Sequence, residues 1–61
     1  MKILHLEDSA SKYSEIRSVL LSCGVKADDI VWVTNLMDGI DKIKEAAEKG
    51  EHFDLAITDM Y

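Results

Sequence analysis

The sequence predicts an α/β fold in which three strands and two helices alternate strand, helix, strand, helix, strand within 61 residues. Three observations carry this. The apolar runs "KILHL", "DIVWV" and "FDLAIT" have strand length and are bounded by polar or turn residues. The two segments between them repeat apolar residues at helical spacing. Each of those segments also begins and ends with recognisable helix signals. Alternation of this kind implies parallel strands joined by right-handed crossovers.

The first strand is expected over about residues 2–7, an apolar run buried on both faces that ends in acids. The first helix follows over about 10–23, where Tyr13, Ile16, Leu20 and Cys23 form one stripe widened by Val19 and Leu21. Ser9 is its expected N-cap, and Gly24 its left-handed terminator. The second strand, about 30–34, is β-branched and aromatic. The second helix, about 35–49, places Leu36, Ile40, Ile43 and Ala47 on one face, with Thr34 or Asn35 as cap and Gly50 at its end. Gly39 inside that helix costs about 1 kcal/mol relative to alanine. The third strand, about 53–58, reads as buried.

Composition narrows the function classes. A net charge of −5 opposes non-specific binding to nucleic acid or to anionic membranes. No run approaches the roughly 18 apolar residues of a membrane span, and the residues before Glu7 are too few for a signal-peptide core. The single cysteine has no partner for an intramolecular bridge and fits a reducing, cytoplasmic setting. A chain of this length buries only about 60% of its unfolded surface, so it is marginal as a lone globule.

The chemistry gathers where ligands of parallel α/β sheets gather, at the carboxyl ends of the strands. Glu7 and Asp8 leave the first strand and Asp59 leaves the third. Taken singly, each reads as a solvated acid at a strand end. In a doubly wound sheet strands one and three are neighbours, so the three carboxylates should converge. Converging carboxylates without a nearby lysine or arginine repel one another. A hard divalent cation resolves that conflict, and Mg²⁺ suits a few carboxylates with waters and phosphate oxygens.

With "KILHLEDS" ahead of a helix and "FDLAITDM" some fifty residues later, the chain resembles the receiver domains of two-component response regulators. The likeness spans the whole chain and about the first half of such a domain. It implies the βαβαβ half of a flavodoxin-like doubly wound parallel sheet with strand order 2-1-3. It implies Asp59 as the phospho-acceptor, taking a phosphoryl group from a histidine kinase or phosphotransfer protein. It implies Mg²⁺ bound by Asp8 directly, by Glu7 often through water, by Asp59, and by the main-chain carbonyl of Tyr61. The role implied is that of a signalling acceptor, not of an enzyme. Receivers also carry a Ser or Thr and a Lys on two later strands, which these residues do not include, so a truncated receiver is the expectation.

A rival reading follows from that expectation. In the order 2-1-3-4-5 the third strand is interior, but here it becomes an edge that invites pairing. A homodimer joined through "DLAIT" or the exposed sheet faces, without phosphoryl chemistry, is the alternative function. A dinucleotide-binding site would need glycines where Glu7 and Asp8 stand. A metal-dependent nuclease would need two acids where "TDMY" has one. Among other residues, His5 is expected as a tolerated core histidine, His52 as solvated, Cys23 as packing, and Trp32 as core or edge packing. Asp28 and Asp29 belong to a polar turn, and Thr58 faces away from Asp59 by strand alternation.

Overall fold

The computed structural model describes residues 1–59, with Asp59 described by its backbone alone. Its elements are β1 (Ile3–Glu7), α1 (Ala10–Ser22), a short 3-10 turn (Ala27–Asp29), β2 (Ile30–Val33), α2 (Leu36–Glu48) and β3 (Leu55–Asp59). The strands form one parallel sheet in the order β2-β1-β3. This is the α/β architecture the alternation predicts, consistent with half of a flavodoxin-like fold. Among the described residues, no helix is long and apolar enough to cross a membrane.

Local chemistry sets the helix ends. Ser9 has extended backbone, and its hydroxyl accepts from the Lys12 N–H at 3.4 Å. Asn35, not Thr34, caps α2: its Oδ1 accepts from the Asp38 N–H at 2.9 Å and its amide donates to the Asp38 carboxylate at 3.0 Å. Both helices stop on a left-handed glycine, Gly24 at φ 97° and Gly50 at φ 73°. The residue after each glycine reaches back five positions, Val25 N–H to Leu20 O at 3.1 Å and Glu51 N–H to Ala46 O at 2.8 Å. These bonds satisfy carbonyls that a helix end otherwise leaves open.

β1 is buried along its whole length, as expected for a central strand covered on both faces. Leu4, Leu6 and Val33 form the core on the α2 side. On the other face, Tyr13 of α1 lies against His5 and Trp32. The slab is thin, with extents of 30 × 28 × 13 Å.

Three packing expectations need correction. The apolar stripe of α2 does not make the sheet contact. Gly39 and Ala46 are its buried residues, whereas Leu36 is 62% exposed and Ile43 51% exposed. At 100° per residue the stripe is turned roughly 80° from the buried line. The helix approaches the sheet where its side chains are smallest, and the bulky stripe stays largely exposed, with Ile43 and Ala47 lining a cleft beside β3. β3 is the second correction. As the last strand in the order it has no outer neighbour among the described residues, and Leu55, Ala56 and Thr58 are exposed and Ile57 half-buried. The third is Cys23, which is exposed at the end of α1, a helix without a fully buried residue.

The close approach at Gly39 has room for one methyl group. A Cβ there would stand 3.5 Å from Val33 Cγ2 and 3.9 Å from Leu6 Cδ1, ordinary van der Waals contacts. Gly39→Ala is therefore expected to stabilise the chain by up to about 1 kcal/mol through helix propensity. Gly39→Leu should force α2 off the sheet. Urea midpoints check both, and a destabilised alanine variant would contradict the packing described.

β3 is fastened at its start by a reciprocal clip. The Lys2 N–H donates to Asp54 Oδ2 at 2.7 Å, and the Asp54 N–H donates to Lys2 O at 2.8 Å. Lys2 Nζ also donates to Glu51 Oε2 at 2.9 Å. The backbone hydrogen bond from Lys2 holds the Asp54 carboxyl below its ordinary pKa. The Lys2 ammonium does the same to Glu51, first by hydrogen bonding and then by charge. A carboxyl whose pKa folding depresses adds stability above its unfolded titration range, and loses it as pH falls through the folded-state value. Stability should thus decline below about pH 4. Asp54→Asn should flatten that decline in urea midpoints measured across the acid range. A decline as steep as in the wild type would refute the clip as its source.

Candidate functional site at the carboxyl ends of the strands

Two strands deliver acids to the same end of the sheet. The β1–β3 register pairs Ile3 with Leu55 and runs on without interruption until Glu7 pairs with Asp59. Residues so paired on neighbouring strands lie about 4.8 Å apart along the hydrogen-bonding direction. Two acids separated by fifty-two positions are therefore adjacent in the backbone. Asp8 follows in the exposed bend between β1 and α1. Thr58 pairs with Leu6, one step earlier in the ladder and on the opposite face from Glu7.

Glu7 is the unusual member. It is fully buried. Its Oε2 accepts from the Ser9 N–H at 3.0 Å, just ahead of α1. Its Oε1 is buried without a hydrogen-bond partner among the described residues. Leaving such an oxygen unpaired costs about 1–3 kcal/mol. The N-terminus of α1 opens beside it, and aligned peptide dipoles place partial positive charge there. The first turn of α1 carries no acid to cancel that charge.

The donors fit a hard cation in kind: they are oxygens, one of them buried and unpaired. Glu7 and Asp8 are the described members of the expected ligand set. The side chain of Asp59 and the whole of Tyr61 lie outside the described residues. Among the described side chains, no three His, Cys, Asp or Glu gather to hold a metal ion. Asp38 serves the α2 cap, bonded reciprocally to Asn35.

One residue at this end acts beyond its expected packing role. Trp32 stands opposite His5 in the β1–β2 register. Its indole Nε1 donates to the main-chain oxygen of Glu7 at 2.9 Å. Its ring stacks on Tyr13 with centroids 4.2 Å apart and planes 7° from parallel. Tyr13 also lies 5.3 Å from the buried ring of His5. A tryptophan near the end of a short strand, with a tyrosine early in the preceding helix, was the available signal. Register was needed to connect them.

His52 is solvated as expected, and its Nε2 lies 3.6 Å from Asp54. A cleft of about 330 Å³ lined by Leu4, Ile43, Ala47, Phe53, Leu55 and Ala56, among others, lies between α2 and the start of β3, away from the acids. No family model matches the chain, and no curated protein or solved structure is significantly similar to it.

Proposed function

We propose that this chain is the phospho-acceptor half of a receiver-like signalling domain, with Asp59 as the residue that takes the phosphoryl group. The supporting observation is the backbone pairing of Asp59 with Glu7, whose buried carboxylate keeps one oxygen without a partner among the described residues. Glu7 and Asp8 are the residues that would hold Mg²⁺. When bound, the ion supplies the positive charge that a carboxylate needs to approach a phosphoryl group. In this reading a carboxylate oxygen of Asp59 attacks the phosphorus of a phosphohistidine on a kinase or phosphotransfer protein. The new O–P bond forms as the N–P bond breaks, and the departing imidazole takes up a proton. Ser9 orients Glu7 through its main-chain N–H, and the N-terminus of α1 favours the incoming negative charge. The chain is an acceptor in this scheme, and a cytoplasmic setting beside such a kinase follows from the same reading.

The test is incubation with acetyl phosphate and Mg²⁺, read by intact mass. The expected result is the gain of one phosphoryl group, abolished by chelator and by Asp59→Asn. A wild-type chain that never gains the group overturns the proposal.

A second reading rests on a separate observation: the exposed α2 stripe, of which Ile43 lines a cleft beside β3, the last strand in the order. An uncovered apolar edge of this kind favours self-pairing, and a symmetric homodimer without phosphoryl chemistry would use it.

A further inference from the structure

We infer that Trp32 is a positioning residue for the acidic site, holding the end of β1 so that the Glu7 oxygen left without a partner among the described residues stays available to a divalent cation. This rests on the phospho-acceptor reading and extends it to a residue outside the ligand set. β1–β2 pairing ends with Leu6 and Val33, so Glu7 lies one residue past it. The Trp32 indole reaches across that gap to the Glu7 main-chain oxygen at 2.9 Å. The indole is fixed in turn by its stack on Tyr13. Tyr13 belongs to the turn that Ser9 opens, and its N–H donates to Ser9 O at 3.0 Å.

Ser9 completes the circuit by donating its own N–H to Glu7 Oε2 at 3.0 Å. Glu7 is thus gripped twice, at the carbonyl from β2 and at the carboxylate from α1, by elements that also grip each other. Two points of attachment fix a carboxylate better than one, and a fixed carboxylate loses less rotamer freedom when it meets a cation. A stacked aromatic needs no such bond for its packing. Trp32 is also 38% exposed, so its emission is open to changes at the site.

Trp32→Phe keeps a ring for Tyr13 and removes the N–H donor. Mg²⁺ alone is titrated into the 61-residue chain by calorimetry, and amide hydrogen exchange is followed on the same samples. The variant should bind Mg²⁺ roughly three- to tenfold more weakly, the range that loss of one hydrogen bond produces. Its Ser9 amide should exchange faster, while the amides of Ile3 to Leu6 keep their protection. An unchanged affinity in a folded variant overturns the inference. If the wild type binds no Mg²⁺, the cation reading fails and the exchange data decide alone. A Ser9 amide unaffected by Trp32→Phe then overturns the positioning role, and faster exchange confined to Ser9 upholds it. Uniform loss of protection along β1 would assign Trp32 to general stability and also overturn it.

Discussion

Glu7→Gln is expected to reverse its stability ranking against the wild type when Mg²⁺ is added. In chelator, the substitution removes a buried carboxylate that has one hydrogen bond among the described residues and stands, by backbone register, beside a second acid. Like charges opposite one another on neighbouring strands are destabilising, and an unpaired buried charge more so. Glutamine preserves the shape and still accepts the Ser9 N–H, and its neutral NH2 in place of the second oxygen costs less to bury than a charge. The variant should therefore be about 1 kcal/mol more stable without metal. With Mg²⁺ at a hundred times its dissociation constant, the wild type should gain about 2.7 kcal/mol by linkage and the variant much less. Urea unfolding in chelator and in Mg²⁺ provides the four values. An equal Mg²⁺ increment in both proteins would remove Glu7 from the cation site. Such a crossover is the thermodynamic signature of a site that gives up stability for function.

Leu36→Lys combined with Ile43→Lys is expected to abolish self-association while leaving the fold intact. Both residues are more than half exposed, so neither change enlarges a cavity in the core. Pairing of two β3 edges about a two-fold axis perpendicular to the sheet would put both α2 helices on one face. Their exposed stripes would then meet above the joined strands. Each side chain would bury roughly 1 kcal/mol of remaining apolar surface, and symmetry counts it twice. The pair of lysines should thus weaken the dimer by on the order of a thousandfold. Ile57→Lys, on the strand itself, tests the edge contact separately. Sedimentation equilibrium of the wild type and the variants reads the result. A wild type that stays monomeric at all concentrations would eliminate this reading, and a dimer indifferent to all three lysines would relocate its interface.

The sequence alone was enough for whatever depends on neighbours along the chain. Ser9, Gly24 and Gly50 announce helix ends because capping and left-handed turns are satisfied within a few residues. Apolar run length separated strands from helices, and their alternation led to a parallel sheet, while its order with β1 at the centre came from the resemblance to receiver domains. The placement of Glu7 and Asp59 at one end of that sheet was legible for the same reason, since parallel strands bring their carboxyl ends to one side.

The remaining features depend on distances between elements that periodicity does not encode. The α2 stripe was visible, but not that the helix would touch the sheet through Gly39 and Ala46. Helices come closest where residues are smallest, and that choice left Leu36 and Ile43 exposed. Nor could spacing reveal that the Trp32 indole reaches the Glu7 carbonyl, a contact across twenty-five residues set by strand register. Burial of the Glu7 carboxylate with one oxygen unpaired among the described residues is likewise a property of packing. Local patterns wrote the elements and their order, while close packing fixed which faces remained open and which acid was held in place.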